Sequence, residues 1–279
     1  MIAKNDPVNQ STMKKILLLL SLSALTLVFA RNPNLLFDAT YETDGNKAEF
    51  AKGDKIAYAF VAPDRVLKKV PGMKQGTKAL VRTNAQRMFY RAPGNFTASQ
   101  GTVSFWFQMV NYDLANDDLQ TIFSIIDSDG RKWPDGYHFR ILKNRKEWKH
   151  FIVAQIYYKD SKMSAAQNIQ TQLYTGEKPW KAGEWHNITI TWDNKQMCLY
   201  LDGVAGEAKP SRAGIPPNVP VRPYNFQLPE MTKGARIFIG NLFNAKKECA
   251  SAYDRIRIFS KPLTAAEVKA LVDNDLATK

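Results

Sequence analysis

The clearest structural pattern in this chain lies in residues 183–203, GEWHNITITWDNKQMCLYLDG. Side chains alternate along its first half, and the face that carries Ile188, Ile190 and Trp192 is apolar, which is the pattern of a half-buried strand. His186 shares this face, so we expect its imidazole to be buried and structural. Because a polar turn and a second short strand follow, the segment predicts an antiparallel β-hairpin.

Strand patterns continue on both sides of the hairpin. Residues 101–107, GTVSFWF, alternate cleanly, and further short apolar runs up to residue 260 are separated by Gly, Pro, Asn and Asp. This spacing is typical of an all-β sandwich or barrel. One helix is expected near the end, because Thr264 and Glu267 have the spacing of a capping box and apolar residues then recur with helical period.

The first thirty residues have the composition of an export signal. A Met-Lys-Lys start at position 13 precedes fourteen mostly apolar residues and a small-residue exit at Ala30, which is typical of a signal peptide. The apolar run is shorter than the roughly 20 residues that a membrane-spanning helix needs. We therefore expect residues 1–30 to be a leader and signal peptide. Residues 31–279 are expected to form one domain that is secreted, periplasmic or at the cell surface, with no membrane span.

The chain is strongly basic, with a formal net charge of +13 at pH 7. A basic surface attracts polyanions such as acidic or sulfated glycans, whereas an evenly solvated basic surface serves only solubility. Both interpretations stay open. The sequence has no nucleotide-binding loop or close His/Cys metal cluster, and we expect no specific nucleic-acid partner.

The two cysteines are Cys198, within the hairpin, and Cys249, shortly before the last predicted strand. In an exported chain an even number of cysteines favours a disulfide. It would close a loop of about 50 residues and stabilise the fold by about 3–4 kcal/mol in the chain-entropy model. The alternative is a pair of buried free thiols.

Four segments together carry a family resemblance. They are residues 36–45, LFDATYETDG; residues 101–106, GTVSFW; the hairpin; and residues 253–268, YDRIRIFSKPLTAAEV. In this order they resemble laminin-G-like domains of the concanavalin-A-like lectin and glucanase superfamily. The resemblance implies a jelly-roll sandwich of two antiparallel sheets with one short C-terminal helix. Members bind glycans, proteins or steroids, or support an enzyme domain, so the fold alone does not fix the function.

The resemblance also implies a structural Ca²⁺ between the first loop and the last strand. Asp44, Asn46 and Asp254 would supply the hard oxygen ligands that this ion requires. Lys47 places a positive charge beside the loop, and Asp and Asn are also ordinary turn residues. A loop without metal is therefore the alternative.

Aromatic residues beside basic groups are the pattern expected of an acidic-glycan site, because rings stack on sugar C–H faces and cations pair with carboxylate or sulfate. Two predicted turns and the proline-rich segment 209–234 carry such residues. The candidate ligand-binding residues are Arg131, Lys132, Trp133 and Tyr137 in the first turn, Arg145 and Trp148 in the second, and Arg222 and Tyr224 in the proline-rich segment. The alternatives are basic turns whose tryptophan folds onto the core, and a proline-rich segment that covers a sheet edge.

The sequence gives weaker evidence for catalysis than for ligand binding, and no catalytic residue is assigned. The chain lacks the E-x-D-x-x-E strand of retaining glucanases, and Gln155-Ile156-Tyr157 resembles a strand of jelly-roll alginate lyases with Tyr157 in place of His. His138, His150 and Tyr157 are the residues to inspect first. The sequence favours a secreted, non-catalytic, lectin-like domain for an acidic or sulfated polysaccharide. The alternatives are a structural or adhesive envelope protein that binds another protein, and a polysaccharide lyase or hydrolase.

Overall fold

The computed structural model describes residues 32–43, 47–59, 69–83, 88–115, 119–127, 136–144, 146–160, 162–240 and 249–277. Contacts divide the chain after Leu35, and residues 36–279 form one compact unit. The predicted leader and signal peptide, residues 1–30, lie outside the described residues and stay a prediction. In the part of the chain that is described, no helix has the length and apolar character needed to cross a membrane.

Within the described residues, sixteen strands form two antiparallel sheets. Sheet A contains, in spatial order, β14 (Val221–Pro223), β13 (Gln196–Leu201), β12 (Trp185–Trp192), β7 (Gly101–Met109), β16 (Ala250–Phe259), β1 (Leu35–Ala39) and β2 (Phe50–Ala51), with β5 (Lys78–Thr83) paired to β16 and β4 (Lys69–Pro71) paired to β5. Sheet B contains β11 (Gln167–Tyr174), β10 (Phe151–Lys159), β9 (Gly136–Lys143), β8 (Gln120–Asp127), β15 (Arg236–Ile239), β6 (Met88–Arg91) and β3 (Tyr58–Ala59). A 3-10 turn (Lys146–Trp148) and the C-terminal helix α1 (Ala265–Ala277) complete the elements. The predicted all-β sandwich with one C-terminal helix is confirmed.

The core lies between the two sheets, where aromatic rings from both meet. Phe105 of β7 stacks on Phe123 of β8 with ring centroids 5.5 Å apart, and Trp192 of β12 lies 5.1 Å from Phe139 of β9. The isoleucines that share the face of Trp192 on β12 are fully buried. The hairpin and its predicted apolar face are therefore confirmed.

His186 lies at the rim of the sandwich and not in the core. Its ring stacks on Trp180 at a centroid distance of 4.0 Å and an angle of 2°. Its Nδ1 atom lies 2.9 Å from Oδ2 of Asp202. The expectation that His186 is buried is wrong, because β12 begins at Trp185 and its first residues extend past the packed interior.

Helix α1 covers the outward side of sheet A. The predicted capping box is confirmed: the Thr264 N–H donates to Oε2 of Glu267 at 2.8 Å, and the Glu267 N–H donates to Oγ1 of Thr264 at 3.3 Å. In the last turn, the buried Asp275 accepts hydrogen bonds from Nε1 of Trp106 at 2.9 Å and from Nη1 of Arg255 at 2.7 Å. The helix is thus fixed to the sheet at both ends.

Cys198 and Cys249 are buried and form no disulfide, so the predicted disulfide is wrong. Cys198 aligns through β12 with Thr102, at the start of β7. Cys249 precedes β16, in which Ser251 pairs with Met109 at the other end of β7. These two ends of β7 are about 24 Å apart, whereas a disulfide requires Cα atoms within about 7 Å. The alternative of two buried thiols is confirmed.

Candidate functional site

Polar, basic and aromatic side chains converge on the outward side of sheet B. Because side chains alternate along a strand, burial of Phe139 and Ile141 in the core turns Arg140 of β9 outward. In the same way, burial of Ile156 turns Gln155 of β10 outward. Both outward residues are partly exposed.

Strand register aligns the outward side chains of sheet B in two rows that cross the strands. The first row is Gln170, Gln155, Arg140, Ser124, Phe238, Phe89 and Tyr58, and the second is Asn168, Tyr157, His138, Ile126, Arg236 and Arg91. We call the part of sheet B made by these two rows the outer face. Its two ends are exposed or partly exposed, whereas Ser124, His138 and Phe238 within it are buried. It crosses the seven strands of sheet B and is about 29 Å long at the usual strand spacing.

One end of the outer face is a chain of hydrogen-bonded polar groups on β9, β10 and β11. Arg140 donates through Nη2 to Oε1 of Gln155, and Nε2 of Gln155 donates to Oδ1 of Asn168 at 2.9 Å. The rings of His138 and Tyr157 lie beside this chain, with centroids 6.1 Å apart. Burial lowers the pKa of Arg140, but a guanidinium stays charged at neutral pH. These hydrogen-bonded side chains therefore hold a cation in place, and it can pair with a carboxylate or sulfate.

The other end of the outer face is a stack of aromatic rings covered by arginines. Tyr58 stacks on Phe89 with centroids 5.4 Å apart, and Phe89 lies 5.6 Å from Phe238. The guanidinium carbon of Arg91 lies 5.3 Å from the centre of the Tyr58 ring, and that of Arg236 lies 4.8 Å from the centre of the Phe89 ring. Stacking fixes the plane of each guanidinium and leaves its N–H edge able to bind an anion.

Asp54 anchors the β3 edge of this aromatic stack. Its Oδ2 accepts a hydrogen bond from the Tyr58 hydroxyl at 2.7 Å and lies 3.7 Å from Nε of Arg91. The hydrogen bond from Tyr58 is the main reason that the pKa of Asp54 is below its usual value. Arg91 thus has an internal carboxylate partner as well as its ring.

Few of the predicted ligand-binding residues are found on the outer face. Arg131, Lys132, Trp133 and Arg145 lie outside the described residues. Tyr137 is only 1% exposed, because alternation along β9 points it into the core, so its prediction as a ligand residue is wrong. Trp148 is half-buried with its ring 5.4 Å from that of Phe151, which matches the alternative that this tryptophan folds onto the protein.

The proline-rich segment 209–234 covers the edges of both sheets. Its strand β14 pairs with β13 in sheet A, and its Val219 pairs with Gln172 of β11 in sheet B. Arg222 donates through Nε to the Gln170 carbonyl at 3.1 Å, and the Tyr224 hydroxyl donates to the Asp193 carbonyl. The alternative of an edge cover accounts for these contacts, and a ligand role for Arg222 and Tyr224 stays a prediction.

Sequence reasoning missed most of the outer face. One signal was available, since Arg140 is a charged residue inside a strand that is otherwise apolar on alternate positions. Phe89 and Phe238 gave no such signal, because each lies in a four-residue strand with apolar residues on both faces. The two rows also depend on strand order, which no local pattern reveals.

A cavity of about 780 Å³ lies on the outward side of sheet A, with Asp254 of β16 in its wall. Asp254 is 1% exposed, and its Oδ2 accepts a hydrogen bond from the Met73 N–H at 3.1 Å. Its Oδ1 has no hydrogen-bond partner among the described residues. Burial raises the pKa of Asp254 to about 6. Glu42, Lys74 and Leu276 also line this cavity.

The described residues near this cavity do not make a calcium site. Of the predicted ligands, Asp44 and Asn46 lie outside the described residues. In the first loop, Nζ of Lys69 already donates to the carbonyl oxygens of Tyr41, at 2.6 Å, and of Thr43. No group of three or more acidic, His or Cys residues able to hold a metal occurs among the described residues, whereas Ca²⁺ takes six to eight oxygen ligands. Calcium binding stays a prediction that rests on the family resemblance.

Comparisons with known proteins agree with this architecture. A family model described as the Concanavalin A-like lectin/glucanases superfamily matches residues 82–269. No curated protein matches the sequence. The binding domain of Paraclostridial Mosquitocidal Protein 1 superposes with a TM-score of 0.61 at 17% identity, covering 88% of this chain and 53% of that one.

Two further solved structures have similar folds. The receptor binding domain of botulinum neurotoxin D gives a TM-score of 0.56 at 13% identity, covering 88% of this chain and 53% of the toxin domain. Domain 4 of AbnA, an extracellular arabinanase from Geobacillus stearothermophilus in complex with arabinotriose, gives 0.53 at 16% identity, covering 86% of this chain and 98% of that domain. The chain spans about half the length of the toxin domains it matches. At these identities the likeness shows the jelly-roll fold alone.

Proposed function

Because the chain belongs to the Concanavalin A-like lectin/glucanases superfamily, we propose that it is a non-catalytic carbohydrate-binding domain whose outer face binds an acidic polysaccharide. The observation behind this proposal is that three guanidinium groups, those of Arg91, Arg140 and Arg236, are held in place among aromatic rings and amides. Such a surface offers what an acidic sugar chain needs: flat apolar areas and fixed cations.

The charge of the molecule supports the acidic part of the proposal. The formal net charge of +13 draws polyanions towards the surface over a distance set by the ionic strength. A guanidinium that is already stacked on a ring loses less conformational freedom when it pairs with an anion. Arg236 is exposed, and among the described residues its guanidinium lies over Phe89, so it is the arginine from which we expect the largest effect.

Similar structures support the carbohydrate part. Domain 4 of the arabinanase was solved with arabinotriose, and the toxin domains are named as binding domains. The proposal places the protein outside the cytoplasm, as a secreted, periplasmic or cell-surface domain, in accordance with the predicted signal peptide.

Affinity electrophoresis through gels that contain polygalacturonate, sulfated dextran or neutral arabinan tests this proposal at low and high salt. We expect the two acidic polymers to retard the protein, and retardation to weaken as salt rises. Arg236→Gln is expected to lower affinity about tenfold, the value of a charge-assisted hydrogen bond. The matched control is Arg212→Gln, because Arg212 is exposed, pairs with Glu177 and belongs to neither row of the outer face. Equal retardation by arabinan would show that the protein does not prefer acidic polysaccharides. Absence of retardation by all three polymers would contradict the proposal that the outer face binds carbohydrate.

One observation favours a second candidate function, a polysaccharide lyase or hydrolase. His138 and Tyr157 are cross-strand partners in the row next to that of Arg140, with His138 only 3% exposed, whereas His150 lies on a different part of the chain, with its ring against Tyr174. Two ionisable groups beside a fixed cation are the minimum for proton transfer on an acidic sugar. The same polymers, incubated with wild-type protein and Tyr157→Phe, would show new reducing or unsaturated ends only if this candidate is right.

A further inference from the structure

We propose that the cavity beside Asp254 is a second binding site, which takes a primary ammonium group on a short apolar stem, as a lysine side chain or an alkyl diamine presents it. The cavity opens on the outward side of sheet A, whereas the outer face belongs to sheet B. The inference therefore goes beyond the proposed function and does not depend on it.

The first argument is a buried carboxylate oxygen that lacks a partner. Asp254 is 1% exposed, and its Oδ1 has no donor at normal hydrogen-bond geometry among the described residues. The N–H groups of Met73 and Arg255 lower the pKa of this carboxyl, but burial outweighs them. A buried acceptor without a donor costs free energy, so such groups in a folded protein call for an explanation. A donor supplied by a ligand provides one, since Asp254 lies in the cavity wall.

The second argument is that the backbone is shaped around this carboxylate. A β-bulge interrupts the pairing of β16 with β7 between Asp254 and Arg257, and Arg255 has the left-handed φ of 50°. Gly72 lets the β4–β5 turn close onto the same group, since a Cβ there would come within 2.7 Å of Oδ2 of Asp254. Bulges and strained non-glycine residues cluster at functional sites.

The third argument is the balance of charge in the cavity wall. Arg255 and Arg257 both pair with Asp275 of α1. The other charged groups in the cavity wall are the carboxylates of Glu42 and Asp254 and the single ammonium of Lys74. Leu276 lines it from the last turn of α1, which contains no basic residue, and the carbonyl end of a helix is negative. A cationic donor is therefore favoured over a neutral one.

The fourth argument concerns the rest of the ligand. Met73 and Leu276 line the cavity, and Leu276 is 62% exposed, so methylene groups attached to the ammonium would cover apolar surface. The neighbouring loop already holds an ammonium of this chain, that of Lys69, on two carbonyl oxygens. A bare divalent cation would gain nothing from the apolar part of the wall.

Lys74 provides an internal check, because its side chain lines the same cavity. Its positive charge competes with that of an incoming ammonium group. Lys74→Met should therefore strengthen binding of an amine several-fold. A site that bound an anion or a sugar hydroxyl would respond in the opposite direction or not at all.

Saturation-transfer NMR with cadaverine, a five-carbon diamine, tests the inference on the full chain. We expect transfer to the cadaverine methylenes in wild-type protein, at least a fivefold loss in Asp254→Asn, and a gain in Lys74→Met. Asp273→Asn is the matched control, since Asp273 is an exposed residue of α1 paired with Lys269. The neutral isostere 1,5-pentanediol should give at least a fivefold weaker signal. Thermal melts of the same variants show that each is folded.

Three results would overturn the inference. Equal transfer to pentanediol would show that the positive charge is not recognised. Undiminished cadaverine binding by Asp254→Asn would place the amine elsewhere. A thermal midpoint raised by CaCl₂ but not by cadaverine, with the rise abolished in Asp254→Asn, would identify a metal site instead.

Discussion

The carboxylate of Asp254 illustrates how one residue links function and stability. Burial raises its pKa from 3.8 to about 6, so the folded protein binds this proton more tightly than the unfolded chain does. The ionised form therefore lowers stability progressively as pH rises from about 4 to about 6, and by about 3 kcal/mol above that range. Below about pH 4 the group is protonated in both states and has no effect on the folding equilibrium.

Asp254→Asn should accordingly stabilise the protein at neutral pH. The amide keeps the shape of the side chain and can still accept the Met73 N–H, but it has no charge to desolvate. We expect a gain of up to about 3 kcal/mol at neutral pH that disappears near pH 4. Urea unfolding at both pH values measures this gain in the free energy of unfolding. An equal gain at the two values would contradict the raised pKa of Asp254.

The two cysteines give a second prediction at this scale. Because Cys198 and Cys249 form no disulfide, a reducing agent should leave the thermal midpoint unchanged. Burial also raises the pKa of the Cys198 thiol, which slows its reaction with alkylating reagents. Mass spectrometry after alkylation in denaturant should therefore find two modified thiols in protein that was never reduced, and few in native protein. An unmodified, oxidised pair would show that a disulfide forms.

Individual residues also show what sequence can predict. The alternation of side chains predicted correctly that Trp192 is buried, because one face of a strand packs into the core of a sandwich whichever strands pair with it. It failed at His186, since the rim of a sandwich depends on where other strands end. Tyr137 was missed for a different reason: it was grouped with the preceding turn, although β9 begins at Gly136 and alternation points this ring inward.

At the scale of elements, helix α1 was the most predictable part of the chain. The capping box of Thr264 and Glu267 is a local pattern, and it forms as predicted. The docking of the helix was not predictable, because Asp275 meets Trp106 and Arg257 from distant parts of the sequence. Local hydrogen bonds start this helix, and long-range ones fix it on sheet A.

We expect Asp275→Ala to destabilise the protein far more than a cap substitution. It would leave the side chains of Arg255 and Arg257, which are 34% and 14% exposed, without their carboxylate, at a cost of about 3 kcal/mol or more. Thr264→Ala should cost about 1 kcal/mol, the usual value of an N-cap.

Asp273→Asn is the control on the same helix, because its exposed pair with Lys269 should be worth less than about 0.5 kcal/mol. Urea unfolding measures the free energy of unfolding of the three variants and so ranks these three costs. If Asp275→Ala were no worse than Asp273→Asn, the helix would not be held by this network.

At the scale of the whole molecule, the sandwich has two outward sides with different chemistry. The outward side of sheet A is occupied by α1 and by the Asp254 cavity, whereas that of sheet B presents the outer face. The segments that carry the family resemblance lie mainly in sheet A and α1, and they therefore predicted the fold. The outer face is built on sheet B, whose residues come together only through strand order, so its position could not be read from motifs.

The last prediction follows from the spacing of the arginines on the outer face. Arg140 of β9 and Arg91 of β6 are three strands apart in sheet B, or about 14 Å. A short acidic oligosaccharide can engage one of them at a time, whereas a longer one can engage both. Affinity should therefore rise with oligosaccharide length until the ligand reaches both arginines, and then level off. Arg140→Gln and Arg91→Gln should each weaken a long oligogalacturonide, and their effects on its binding free energy should add because the residues are too far apart to couple. Calorimetric titration of the single and double variants with short and long ligands measures this. If a disaccharide bound as tightly as a long chain, or if only one arginine mattered for a long chain, recognition would be confined to a local pocket and would not extend across the strands.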